Sequence, residues 1–358
     1  MVDAIYIHIP FCQKKCHYCD FLSFQNMTDE IDNYVKHLIK EINLYPKYNF
    51  DTIYFGGGTP SLLSPIHIKN ILENLNFDSN SEITLEVNPI TVDYEKLKQF
   101  KEVGINRLSI GIQSFNNDIL KTLGRLHNSE KAISTYCDAR KAGFNNISID
   151  LMFAVPNQTL EILENDLETI KSLNPEHISI YSLIWEEGTK FWDLKEKNIL
   201  SPISDEIEAD MYKKIIDFLT ENNYIHYEIS NFSKKNFMAR HNSKYWENKE
   251  YLGVGLGASG YYNGIRYKNV CFLNKYYGII NIDDLPILEK ENVDKNDSFN
   301  YILGLRLINK GISPTEKKYI EICNNLVKKG FLKNINNKYF LTKKGIFYAN
   351  DVFLEFID

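Results

Sequence analysis

Over its first two-thirds the chain repeats one unit, a short β-branched run followed by a longer amphipathic stretch. Strands are expected at 4–10, 51–57, 82–88, 105–113, 146–152, 177–184 and 224–229, and helices at 29–44, 65–75, 93–103, 129–142, 160–173 and 205–221. The strands at 147–152 (Ile-Ser-Ile-Asp-Leu-Met) and 178–184 (Ile-Ser-Ile-Tyr-Ser-Leu-Ile) read as near-continuous apolar runs. That is the pattern of parallel strands covered by helices. Six or seven such units predict an α/β fold, a partial (β/α) TIM-like barrel. In such folds chemistry gathers at the C-terminal ends of the strands.

The regular alternation is expected to end near residue 230, closing a barrel unit at 1–230. Residues 231–293 are aromatic and Gly-rich and are expected to complete its core, ending in an acidic, irregular stretch at 281–297. Residues 294–358 read as a small C-terminal winged-helix-like domain: helices at 299–308 and 314–329, a hairpin turning at Asn336-Asn337, and a closing helix. This tail holds 11 Lys+Arg against 7 Asp+Glu in a chain whose net charge is −6. Winged helices often bind nucleic acid, but the lysine pairs are dispersed and the rest of the chain is acidic. A lid or docking surface over the barrel mouth is the preferred reading. No apolar run approaches the ~20 residues that span a bilayer, and the start, MVDAIYIHIPFC, lacks the signature of a signal peptide. A cytoplasmic protein without a transmembrane segment is expected. A homodimer and peripheral membrane contact both stay open.

Six cysteines occur, at 12, 16, 19, 137, 271 and 323. Three fall within eight residues, as Cys12-Gln-Lys-Lys-Cys16-His-Tyr-Cys19, directly after the first expected strand. Clustered thiols in a large chain without an export signal point to metal chemistry rather than disulfides. Three thiolates at this spacing suit an iron–sulfur cube with one iron left without a protein ligand. Zinc is the weaker alternative: it would need a fourth ligand, His17 or His8, and paired C-x2-C knuckles are absent. Incidental core packing is the bland one. The three remaining cysteines are isolated and read as small hydrophobes.

After the second expected strand comes Gly56-Gly57-Gly58-Thr59-Pro60. Consecutive glycines let backbone N–H groups approach a polar ligand closely, although the same run also serves as a plain turn. Taken together, the C-x3-C-x2-C loop, Tyr18 before its last cysteine and the GGGTP turn resemble the radical S-adenosylmethionine (SAM) superfamily. The longer match Tyr6-Ile-His8-Ile-Pro10-Phe11-Cys12 is similar to the branch that contains oxygen-independent coproporphyrinogen III oxidase and the HemW-type haem chaperones. The likeness extends from the first strand through the winged-helix-like tail.

The resemblance implies a [4Fe–4S] cluster on Cys12, Cys16 and Cys19, with SAM chelating the open iron. It implies that Gly57, Gly58 and Thr59 hold the methionine end of SAM, and that Glu86, Gln113, Arg125 and Asp150 contact its ribose and carboxylate. Tyr6 stands just before the cluster loop in the same shell. The chemistry agrees in kind: carboxylates accept ribose hydroxyls, and a guanidinium matches a carboxylate fork. Seen alone, Glu86 or Asp150 could equally cap a loop, and Arg125 could be a surface ion pair.

Two departures separate the chain from the oxidase. The oxidase has a fourth cysteine two positions beyond the third, where this chain has Phe21, and it carries an extension ahead of its cluster loop, whereas Cys12 here is the twelfth residue. Residues 240–246 (Arg-His-Asn-Ser-Lys-Tyr-Trp) resemble the H-N-x-x-Y-W motif of the haem chaperones, and a Gly-rich segment follows at 251–260 with Ser259 where many relatives have His. The resemblance therefore implies a haem chaperone that takes haem as cargo and delivers it to acceptor haemoproteins, without coproporphyrinogen oxidase activity. His241 is the candidate haem contact, beside Tyr245 and Trp246; packing within the loop is the alternative. The runner-up functions are the radical decarboxylase itself and a radical SAM enzyme acting on nucleic acid.

Overall fold

The structure, a computed structural model, describes residues 2–293 and 298–357. Strand β1 (Ala4–Ile9) leads into the two-residue β2 (Phe11–Cys12), which pairs in parallel with β3 (Phe24–Gln25). The cysteine loop therefore leaves and re-enters the fold at one point. Strands β4 (Asn49–Gly57), β5 (Asn76–Val87), β6 (Arg107–Gln113), β7 (Ile147–Phe153) and β8 (His177–Ser182) follow. Between them run α1 (Ile31–Leu44), α2 (Pro65–Leu72), α3 (Tyr94–Glu102), α4 (Asn117–Leu123), α5 (Ser129–Lys141) and α6 (Leu160–Leu173). Many of these helices start where a short polar side chain accepts from an N-terminal amide, as Ser64, Asp93, Asn116, Asn128 and Thr159 do.

After α7 (Lys190–Glu196) and α8 (Asp205–Glu221) come β9 (Ile225–Glu228), β10 (Asn231–Ser233), α9 (Arg240–Trp246) and β11 (Leu252–Val254). The main sheet has the order β11-β1-β4-β5-β6-β7-β8-β10-β9. Neighbours from β11 to β8 are parallel, whereas β10 is antiparallel to β8 and to β9. The end strands β11 and β9 do not pair with each other, so the barrel is partial. Membership of β11 is a long-range pairing (Ile5 opposite Leu252) that no local pattern announces.

The strands are not uniformly apolar, contrary to the reading of near-continuous runs. One face carries Ile5, Ile53, Leu85, Leu108, Ile110, Ile149, Ile178 and Ile180, all buried in the main core with the helices. The alternate positions are polar and bond across the barrel interior: Ser109 to Asp150, Ser148 to His177, Tyr54 to Glu86. Period-two alternation puts these side chains on one face, and closing the sheet turns that face inward. Arg107 is 2% exposed among them.

Beyond β11, strands β12 (Ser259–Tyr262), β13 (Ile265–Asn269) and β14 (Ile287–Asn292) form a separate antiparallel sheet, with α10 (Leu273–Asn281) between the last two. A strand at 287–292 replaces the irregular stretch expected there; its mostly exposed, charged residues suit an edge. Residues 294–297, at the expected boundary, lie outside the described residues. The final part has α11 (Phe299–Arg306), α12 (Lys317–Lys328), the hairpin β15 (Leu332–Ile335) and β16 (Lys338–Leu341), α13 (Lys343–Phe347) and α14 (Ala349–Leu354). It is built on its own apolar cluster, centred on Tyr319, Cys323, Leu326, Tyr339, Val352 and Phe356. Arg306 joins it to the rest, pairing with the fully buried Glu228 at 2.6 Å while its guanidinium lies over Trp246 at 4.3 Å. Among the described residues no helix is long and apolar enough to cross a membrane.

Candidate metal and cofactor centre

The C-terminal ends of the parallel strands and the cysteine loop enclose a cavity of about 160 Å³. Cys12, Cys16 and Cys19 line it, as do Gly57, Gly58, Thr59, Glu86, Gln113, Arg125 and Asp150. Residues scattered over more than a hundred positions are thus gathered by the strand ends onto one wall. Tyr6 is the exception. Its ring lies one layer below, against Gly56 and Tyr54, and its hydroxyl is bonded to His8 Nδ1 at 3.0 Å.

The cysteine loop is held from both sides. His8 Nε2 is bonded to the Leu22 carbonyl at 3.0 Å, and the His17 amide donates to the Leu123 carbonyl at 3.0 Å. Tyr18 packs on a small apolar cluster of Ile119, Leu123, Met152, Val155, Leu183 and Phe191. Gly58 must be glycine: a Cβ there would stand 2.8 Å from the Phe11 carbonyl oxygen and 3.1 Å from Cys12 Sγ. Gly57 adopts φ +114°, and a Cβ would meet the His8 ring at 2.7 Å. The GGGTP turn and the cysteine loop are therefore fitted backbone to sulfur.

The donors suit a buried, positively charged metal group. Burial pushes the Cys19 thiol up to about 11, so its thiolate needs a metal to compensate it. Arg125 Nη1 lies 3.4 Å from Cys16 Sγ and Thr59 Oγ1 3.4 Å from Cys12 Sγ. Among the described residues no three His, Cys, Asp or Glu side chains converge on one ion position.

The carboxylate side of the cavity is equally built. Tyr54 donates to Glu86 Oε1 at 2.8 Å, and burial pushes the Glu86 carboxyl up to about 7. Asp150 takes both oxygens' bonds from Ser109, at 3.0 and 2.9 Å, and a third from Ser148; burial raises it too. Arg125 Nη2 donates to the Gly111 carbonyl at 2.6 Å, while its buried Nε has no partner. Gln113 holds φ +73° at a break in the β6–β7 register, and its amide oxygen accepts from Tyr181 at 3.2 Å. A non-glycine residue in that conformation stores strain, which collects at functional sites.

Tyr181, Ser109 and Gly111 also line the cavity and were not singled out from the sequence. The signal existed: Arg107-Leu-Ser109-Ile-Gly111-Ile-Gln113 and His177-Ile-Ser179-Ile-Tyr181 alternate strictly, marking the inward face. Phe21 is 62% exposed and stands at the cavity rim.

His241 lies elsewhere. Helix α9 sits at the opposite, N-terminal end of the strands, where Glu82 accepts from the Arg240 and His241 amides and Lys244 pairs with Asp3 and Asp51 at 2.7 and 2.9 Å. The His241 imidazole is 1% exposed, with Nδ1 bonded to Thr52 Oγ1 at 2.8 Å and Nε2 to Tyr245 OH at 2.7 Å. Burial, with the charges of Lys244 and Arg107, pushes it down to about 3. Trp246 is covered by Arg306. Both imidazole nitrogens are engaged by hydroxyl partners, which hold α9 against the barrel floor.

The Radical SAM superfamily model matches residues 6–170. The chain is 37% identical to the haem chaperone HemW of Lactococcus lactis, over 99% of this chain and 97% of that protein. It is also 37% identical to HemW of Bacillus subtilis, over 99% of both. The chain belongs to the HemW family of radical SAM proteins. Its architecture is that of the radical SAM fold: the structure of Escherichia coli coproporphyrinogen III oxidase, HemN, superposes with a TM-score of 0.84, covering 99% of this chain and 89% of that one at 22% identity. At that identity the likeness to HemN is one of fold.

Proposed function

We propose that this protein carries haem and delivers it to acceptor haemoproteins, with a [4Fe–4S] cluster and SAM held at the barrel mouth. The observation that carries this reading is the similarity to HemW haem chaperones along 99% of the chain. Cys12, Cys16 and Cys19 would hold the cluster. The backbone at Gly57, Gly58 and Thr59 and the side chains of Glu86, Gln113, Arg125 and Asp150 would hold SAM, with Tyr6 bracing the wall from behind. Bound there, the pair supplies one-electron reductive chemistry. The chain's own residues bind and orient it: the unpartnered Arg125 Nε suits a carboxylate, and the two buried carboxylates suit ribose hydroxyls.

The test is transfer. Haem-loaded, cluster-reconstituted protein is mixed anaerobically with the apo form of a b-type haemoprotein, and the acceptor's Soret band is followed. The expected result is saturable haem binding, then acceptor reconstitution faster than by passive haem loss. Failure to bind haem saturably, with coproporphyrinogen III decarboxylated in the presence of SAM and a reductant, would reverse the assignment to the oxidase.

A further inference from the structure

We infer that haem binds in the pocket bounded by β12, β13 and β14 and by the Tyr245 side of α9, away from the cysteine cavity and without His241 on its wall. This rests on the haem-carrying reading and adds a place for the cargo. The pocket measures about 560 Å³ against about 160 Å³ at the cysteine loop, within the range of small-molecule sites. A porphyrin needs flat apolar walls and cations for its two carboxylates. Tyr245, Tyr251, Tyr261 and Phe299 supply rings to the wall, Tyr245 and Tyr251 with centroids 4.6 Å apart at 62°. The sheet holds this arrangement firmly: Tyr251 and Tyr261 exchange backbone hydrogen bonds of 2.7 and 3.0 Å, and the Tyr267 hydroxyl below is bonded to both polar groups of Gly253.

The charge on the wall is net positive, with Lys249, Arg266, Lys268 and Lys290 against Glu289 and Glu291. Cross-strand register sets Arg266 opposite Glu291 and Lys268 opposite Glu289, and Lys249 pairs with Glu247 at 2.6 Å, so the wall charge in excess is that of Lys290. Phenolic oxygens are competent haem-iron ligands, and a pocket with four tyrosines at its wall has no need of His241. The cysteine cavity, by contrast, is small for a porphyrin.

The experiment is a haem titration of the full chain, read in the Soret region, for wild type, Ser259→Trp and Leu354→Trp. Ser259 is exposed and lines the pocket; Leu354 is exposed on α14. Hydrogen exchange of the wild type with and without haem accompanies it, so that a misfolded variant does not leave the site undecided. The expected result is a loss of affinity of about tenfold or more for Ser259→Trp, none for Leu354→Trp, and haem-dependent protection of residues 259–268. A Ser259→Trp protein that folds and binds like wild type, or protection confined to other segments, would overturn this placement while leaving the haem reading intact. Absence of saturable binding by the wild type would overturn both.

Discussion

The imidazole of His241 lies against the ring of Tyr54, centroids 5.1 Å apart and 26° from parallel. Because the Tyr54 hydroxyl donates to Glu86, one side chain connects the floor of the barrel to the wall of the cysteine cavity. Replacing His241 by Ala empties a buried site and strands the Thr52 and Tyr245 hydroxyls. Equilibrium urea unfolding is expected to show a loss of about 3 kcal/mol. The Soret maximum of the haem complex should stay where it is in the wild type; a shifted maximum at unchanged stability would mean that His241 ligates iron.

Gly58 tests how closely the turn and the cysteine loop are fitted. Its Cβ would contact Cys12 Sγ and two backbone oxygens, those of Phe11 and Ile9, none of which can swing aside. Gly58→Ala is expected to lower iron content after anaerobic reconstitution by more than half, with far-ultraviolet circular dichroism unchanged. Full iron loading would show that the loop can retreat.

Tyr181 lines the cavity, and its hydroxyl donates to the Gln113 amide oxygen at 3.2 Å. Tyr181→Phe removes the hydroxyl and keeps the ring, so cluster loading should be unaffected. Calorimetric titration is expected to show SAM binding about tenfold weaker, the worth of one hydrogen bond in a buried site. Equal affinity would mean that the left-handed backbone alone orients Gln113.

Much of this site could be read before any coordinates. The βα rhythm, the cysteine loop and the GGGTP turn are local patterns, and each survives as a local structure at the expected place. What was missed depends on closure. Ser109 and Tyr181 become site residues only when the polar alternate face turns inward, and residues 252–254 join the sheet by pairing with β1 from far along the chain. His241 carries two readings for the same reason: a histidine beside aromatics reads equally well as a ligand or as a plug. The difference lies in Thr52 and Tyr245, which occupy its two nitrogens.

Glu41 makes stability depend on pH. It is fully buried on α1, accepts from the Gly255 amide, the Asn269 amide group and the Tyr276 hydroxyl, and burial pushes it up to about 7. A carboxyl raised by folding stabilises fully below its unfolded pKa, near 4.5, and its contribution is lost as pH rises through 7. The stability of wild type relative to Glu41→Gln should therefore fall by about 3 kcal/mol between pH 4.5 and pH 8. A difference independent of pH would mean that folding leaves the Glu41 pKa unchanged.

The cysteine cavity is the centre of the account, and electron paramagnetic resonance of the reconstituted, dithionite-reduced protein with and without SAM addresses it most directly. The expected spectrum is that of one reduced [4Fe–4S] cluster per chain, altered on adding SAM and absent when Cys12, Cys16 and Cys19 are replaced by Ala. A chain that takes up zinc instead of iron, or a cluster signal indifferent to SAM, would contradict it.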